Sequence, residues 1–192
     1  MAYLTTSELA EKGFKSLGKN VKISDKASIY DAEQIEIGDN SRIDDFCVIS
    51  GRVQIGIFCH ITPMCFIAGG IEGVYIGDFT GLAYGAKVFS QSDDYSGEMM
   101  FSSLLPAEYT NMKKEKVVLE RQVIVGAGSI ILPGVHVGEG CSVGAMSLIT
   151  KDTDPWGVYI GIPAKRIKER KKDLLVLEKK FLKTLETKVT DS

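Results

Sequence analysis

From Ile37 to Ile67 an aliphatic residue recurs at every sixth position: Ile37, Ile43, Ile49, Ile55, Ile61 and Ile67. The series slips, resumes as Ile76, Leu82 and Val88, and returns as Leu119, Val125, Ile131, Val137, Val143 and Ile149. A helix needs an apolar period of about 3.6 and a half-buried strand a period of about 2. A period of six fits neither alone. It fits a coil of three short strands per turn, each hexad forming one flat side of a triangular prism.

A second position confirms the frame. Four residues after each aliphatic one the side chain is small or thin: Ser41, Cys47, Val53, Cys59, Cys65, Thr80, Ala86, Val123, Ser129, Val135, Cys141 and Ser147. Both positions are expected to point into a narrow prism. Between them lie turn formers such as Gly38-Asp39-Asn40, Gly126-Ala127-Gly128 and Gly138-Glu139-Gly140. Glycine and asparagine accept left-handed backbone angles at little cost, which a sharp corner requires.

The pattern divides the chain, read as a single domain over 1–192, into consecutive parts. Residues 5–18 are expected to form a short helix, with Thr5 and Glu8 at capping-box spacing. Residues 21–153 carry the coils, interrupted at 90–118 by a stretch without the repeat. Residues 155–192 hold a Gly161-Ile162-Pro163-Ala164-Lys165-Arg166 turn and a C-terminal helix with apolar positions Leu174, Leu177, Phe181 and Leu185. That helix is expected to cover an open coil end, where unpaired backbone would otherwise be exposed.

All four cysteines (Cys47, Cys59, Cys65 and Cys141) fall on the small inward position. Buried cysteine behaves as a small hydrophobe. None sits in a CxxC pair or beside histidines at zinc spacing. No metal site is expected. Met1 to Lys15 is polar and interrupted by charge, so no secretory signal is read there and a cytoplasmic setting is expected. The net charge of −2 argues against nucleic acid or an anionic membrane as partner. No apolar run approaches the roughly 20 residues of a membrane span.

The C-terminal block is the most specific stretch: Val125-Gly-Ala-Gly-Ser-Ile, Ile131-Leu-Pro-Gly-Val, Val137-Gly-Glu-Gly, Val143-Gly-Ala, then Gly161-Ile-Pro-Ala-Lys165. It resembles the hexapeptide-repeat acyltransferases. The resemblance implies an all-β fold, a left-handed parallel β-helix that assembles as a homotrimer, and an acyl-CoA as co-substrate. Gly126, Ala127, Ala145, Ser147, Lys165 and Arg166 then fall to the cofactor. Ser90 to Gly97 and Pro155-Trp-Gly are similar to the subgroup that acylates dTDP-4-amino-4,6-dideoxyglucose and related nucleotide-linked amino sugars. In that subgroup acidic loop residues surround the sugar amine, which assigns catalytic positions to Asp94 and Glu108. Ser92, Tyr95, Tyr109 and Asn111 have donor or stacking capacity for a nucleotide sugar, and Lys113, Lys114 and Lys116 suit a diphosphate.

Sugar O-acetyltransferases of this fold carry a histidine near the projecting loop. Ser90 to Gly97 has none, and the chain holds only His60 and His136. A hydroxyl, with a pKa near that of water at about 15.7, needs a base to take its proton. An amine titrating at about 7.7–8.0 is already about one-third free base at pH 7.5. A loop with carboxylates and no histidine therefore favours an amino acceptor. The competing reading is a sugar O-acetyltransferase with His60 or His136 as base. A carbonic anhydrase of this coil would need three histidines, and a non-catalytic scaffold would bind no acyl-CoA.

Overall fold

A computed structural model of the chain describes residues 2–102 and 104–190, with side chains through residue 185. The chain winds into a parallel β-helix with three walls. The first wall stacks Ser16–Leu17, Ile35–Ile37, Val53–Ile55, Val74–Ile76, Val117–Leu119 and His136–Val137. The second stacks Lys22–Ile23, Arg42–Ile43, His60–Ile61, Gly81–Leu82, Ile124–Val125, Ser142–Val143 and Gly157–Gly161, closed by Ala164–Glu169. The third runs from Ser28–Ile29 through Val48–Ser50, Phe66–Ala68, Lys87–Phe89 and Ile130–Ile131 to Leu148–Ile149.

Registers are strict, with Ile43 opposite Ile61 and Ile61 opposite Leu82. Aliphatic side chains therefore stack on their counterparts one coil away. Every aliphatic member of the six-residue series from Ile37 to Ile149 is at most 2% exposed, and so is every small residue of the second series. The four thiols are free and buried. Burial pushes the Cys59 thiol up to about 11, which leaves it protonated and inert at neutral pH.

The small positions do more than save volume. Ser41 Oγ donates to the Gly56 carbonyl at 2.7 Å, Thr80 Oγ1 to that of Glu120 at 2.9 Å and Ser129 Oγ to that of Gly144 at 2.8 Å. Cys59 Sγ makes the corresponding contact to Gly77 at 3.2 Å. Each acceptor is the corner residue just past an inward aliphatic one, and each donor lies one coil earlier.

The corners hold a surprise. Glycine and asparagine were the expected left-handed residues, yet Phe46, Phe58, Met64, Phe79, Gln122, Met146 and Trp156 also have φ between 53° and 66°. A side chain in that region costs about 1–2 kcal/mol. Gly85, Gly128 and Gly140 do take left-handed angles, but Gly38 and Gly126 serve where backbones of successive coils nearly touch. A Cβ on Gly38 would lie 2.7 Å from the Gly56 carbonyl carbon, and one on Gly126 would lie 2.4 Å from the Ala145 nitrogen.

Three expectations need correction. The N-terminal helix, α1, spans only Thr6–Glu11, with its capping box formed by Thr5 and Glu8. Gly13, at φ 68°, follows its end, and the solenoid already begins at Ser16, before residue 21. The interruption of the repeat ends at Val117, which pairs with Val74. The C-terminal helix, α2 (Leu174–Thr190), covers no open end. Gly157–Gly161 continues the second wall, and Ala164–Glu169 returns antiparallel along it. Helix α2 then lies along the corner between the first and second walls. Phe181 meets the stacked rings of Phe58 and Phe79 edge-on, at 5.1 and 6.4 Å. Glu178, only 9% exposed, bonds Arg121 and Gln122. Leu177, read as part of the covering face, is 66% exposed.

Gly38 has an ordinary backbone conformation and backbone of the next coil at its α-carbon, so Gly38→Ala introduces overpacking alone. We expect about 1–3 kcal/mol of destabilisation, read as a lower urea midpoint. An unchanged midpoint would show that the coils have slack at this corner.

Candidate active site

Two parts of the chain hold the residues assigned to chemistry. The first is the excursion between Ser90 and Val117. Its stem is an antiparallel pair, Gln91–Ser92 with Lys113–Lys114. Ser92 is half-buried in that stem, and Lys113 Nζ pairs with Glu115 at 3.0 Å. The tip is organised by Asp94. Its Oδ1 accepts the Ser96 N–H at 2.8 Å and its Oδ2 the Met99 N–H at 2.9 Å. Ser96 first, and Met99 with it, hold the Asp94 carboxyl below the usual carboxylate range. The group is therefore a fixed anion at neutral pH and a poor base. A carboxylate offers about four acceptor sites, so lone pairs remain for a cation.

Glu108 lies exposed in a single helical turn, Ala107–Tyr109. The Met100 N–H bonds the Tyr109 carbonyl at 2.9 Å, which draws the Glu108 segment beside Met100, just past the Asp94 turn. Tyr95 is 90% exposed and Tyr109 54%. Asn111 and Lys116 are also exposed. Asp93, Asp94, Tyr95, Gly97, Met99 and Phe101 enclose a hollow of about 410 Å³.

The second part is the corner between the second and third walls. Ala127 and Ala145 stack there on successive coils, Met146 N–H bonding the Ala127 carbonyl at 2.8 Å. With Gly126 they form a shallow floor. Ser147 departs from expectation: it is 2% exposed and its Oγ accepts the Gly161 N–H at 3.1 Å. Its hydroxyl faces the interior and fixes the turn that leads to Lys165, so it does not meet a ligand on the wall. Lys165 and Arg166 lie exposed on the returning strand, Arg166 pairing with Glu169 at 2.9 Å.

Sequence comparison identifies the family. Residues 116–151 match the family model "Bacterial transferase hexapeptide (six repeats)". The dTDP-4-amino-4,6-dideoxy-D-glucose acyltransferase of Escherichia coli is 45% identical over 184 residues, 94% of this chain and 95% of that one. The chain belongs to the hexapeptide-repeat acyltransferases. Among solved structures, AntD, an N-acyltransferase from Bacillus cereus in complex with dTDP and 3-hydroxybutyryl-CoA, superposes with a TM-score of 0.94 at 44% identity, covering 96% of this chain and 98% of that one. A variant of AntD in complex with dTDP-4-amino-4,6-dideoxyglucose and coenzyme A gives 0.94 at 45% identity, covering 95% and 98%. As a hexapeptide-repeat acyltransferase the protein is an acyl-CoA-dependent enzyme.

This acyltransferase ties both histidines to carboxylates. His136 Nε2 lies 2.7 Å from Glu120 on the first wall. His60 Nε2 lies 2.8 Å from Asp44 on the second. Asp44, 1% exposed, also accepts Arg42 Nε at 2.6 Å and Nη2 at 2.9 Å. Sequence reasoning missed this cluster, because Asp44 occupies a corner position that other coils give to serine, threonine, alanine or glycine. Among the described residues no group of three or more His, Cys, Asp or Glu is placed to hold a metal, and no helix is long and apolar enough to cross a membrane.

Burial alone would raise the Asp44 carboxyl; the bonds from Arg42 and His60 outweigh it and hold the group below its ordinary value. A carboxyl depressed by folding adds stability above its unfolded value of about 3.9, lost as pH falls through the folded value. The difference in urea stability between wild type and Asp44→Asn should narrow as pH falls below about 4. A gap independent of pH would remove this account of Asp44.

Proposed function

We propose that the protein transfers an acetyl or other short acyl group from coenzyme A to the amine of a nucleotide-linked amino-deoxy sugar such as dTDP-4-amino-4,6-dideoxyglucose, in cytoplasmic synthesis of surface polysaccharide. The observation that carries this reading is the projecting loop: it holds an ionised carboxylate, Asp94, and no histidine. Enzymes similar to this chain over most of its length include an acyltransferase named for that sugar and an N-acyltransferase crystallised with it.

The chemistry follows from the groups present. The free amine attacks the thioester carbonyl carbon, the C–S bond breaks, and the nitrogen's surplus proton passes to the departing thiolate. The products are an amide and free coenzyme A, so no obligatory protein base is required. Asp94 and Glu108 hold and orient the amine. Correct placement by itself can supply about 7–11 kcal/mol of the barrier in favourable cases. Ser92, Tyr95, Tyr109 and Asn111 contact the nucleotide sugar, with Lys113, Lys114 and Lys116 beside the diphosphate. Gly126, Ala127 and Ala145 give the pantetheine arm a floor without bulky side chains. Lys165 and Arg166 meet phosphates, for which both cations are suited.

In a homotrimer three equal clefts form by symmetry, each joining one subunit's loop to another's C-terminal coils. Phe46, Met64 and Met146 stand 54–67% exposed along one corner of the single chain, apolar surface that a second subunit would cover. Sedimentation should find active trimers. Fully active monomers would remove this part of the reading.

Release of free thiol should be rapid with dTDP-4-amino-4,6-dideoxyglucose and negligible with plain hexoses. Equal rates on hydroxyl acceptors would favour the O-acetyltransferase reading instead. Each lost charge-assisted contact removes about 1.5–3 kcal/mol. The pair Asp94→Asn and Glu108→Gln, losing two such contacts, should therefore cut kcat/KM by about 100- to 10,000-fold without abolishing turnover. Complete loss in either single variant, with folding and affinity intact, would identify that residue as a true base.

A further inference from the structure

The corner between the second and third walls carries a ladder that changes character abruptly. The third residue of each corner hexad stacks one per coil: Asp45, Pro63, Tyr84, Ala127 and Ala145. Backbone bonds fix the register, with Met64 N–H on the Asp45 carbonyl at 3.0 Å, Gly85 N–H on Pro63 at 3.1 Å and Gly128 N–H on Tyr84 at 2.9 Å. Tyr84 thus stands one coil above Ala127, a step of about 4.8 Å. Below it lie two methyl groups and the backbone of Gly126, with the Met146 side chain beside Gly128 and that of Ile160 beside Gly144. At Tyr84 the floor meets a phenol ring that is 64% exposed.

Beyond the ring the wall is charged. On the second wall Arg42 lies opposite His60, and His60 opposite Gly81, three residues before Tyr84. Asp44 holds Arg42 and His60 together there. An aliphatic tail passing the ring would desolvate these groups without pairing them, which is costly. Size and polarity therefore place a limit at the same point. The fold does not impose that limit by itself, since AntD was crystallised with 3-hydroxybutyryl-CoA, a four-carbon donor.

We propose that Tyr84 is the stop at the thioester end of the donor path and restricts this enzyme to acetyl-CoA, excluding four-carbon acyl groups. The inference rests on the donor path proposed above, along Gly126, Ala127 and Ala145, and it names the donor that the general reading leaves open. The phenol hydroxyl has no part in it. Bulk is what counts.

The test compares wild type, Tyr84→Phe and Tyr84→Ala, each with acetyl-, propionyl-, butyryl- and 3-hydroxybutyryl-CoA. The backbone contact made by residue 84 is through its carbonyl, so these variants keep the coil intact. Two readouts are taken: turnover on dTDP-4-amino-4,6-dideoxyglucose, and the Kd of each acyl-CoA alone by calorimetry. A misfitting methylene in a shaped pocket costs about tenfold or more. Wild type and Tyr84→Phe should prefer acetyl over butyryl by at least about tenfold in both readouts. Tyr84→Ala should bring the two within a few-fold, by improving the longer donor. Wild type accepting butyryl as readily as acetyl, or an unchanged preference in Tyr84→Ala, overturns the proposal. If the acyl-CoAs bind with the expected preferences but no amine is acylated, the acceptor assignment fails while the role of Tyr84 stands. If no acyl-CoA binds, both fail.

Discussion

The hydrogen bond from a small interior side chain to the next coil's corner carbonyl is the contact on which this solenoid depends. Parallel strands satisfy their own backbone, but a chain that turns three times per coil must place peptide groups in corners, outside the ladder. Ser41, Cys59, Thr80 and Ser129 reach those carbonyls at Gly56, Gly77, Glu120 and Gly144. A buried carbonyl left unpaired costs about 1–3 kcal/mol, and the column repeats the problem at every turn. Aliphatic stacking drives the collapse. The corner bonds let the backbone bend where it does.

This explains what could be read from the residues and what could not. The six-residue period was fully legible, because one inward side chain per wall is a local and regular demand. Narrowness at the fourth position was legible too, as a volume. Its hydrogen-bonding role was not, because donor and acceptor lie 15 residues apart for Ser41 and Gly56 and 40 apart for Thr80 and Glu120. The bulky left-handed corners were illegible for a related reason. Phe58 and Phe79 gain a partner in Phe181, a residue from a distant part of the chain. Propensity favours glycine at such an angle; a tertiary contact supplied by Phe181 offsets the strain. The returning strand Ala164–Glu169 was hidden because it is polar and exposed, with no inward face to leave a pattern.

The candidate site divides in the same way. The break in the repeat marked the loop, and the lack of histidine there pointed to an amine acceptor. What no spacing rule revealed is that Asp94 is already bonded to Ser96 and Met99. Its charge is thus set by the loop it organises, so it suits the orientation of a cation better than the removal of a proton. Ser147 illustrates the reverse case. Its place in a matching motif assigned it to the cofactor, whereas its hydroxyl supports the Gly161 turn from inside.

Helix α2 has a mechanical consequence. Coils of a solenoid touch only their neighbours, so such a column ordinarily frays from its ends in small steps. Here one segment reaches past that limit. Lys172 lies over Trp156, Arg170 binds the carbonyls of Gln122 and Gly140, Glu178 holds Arg121, and Phe181 rests on Phe79 and Phe58. A strut fastened to coils so far apart turns serial unwinding into a cooperative event. The last coils, with the corner that leads to Lys165, cannot peel away without releasing the middle of the column as well.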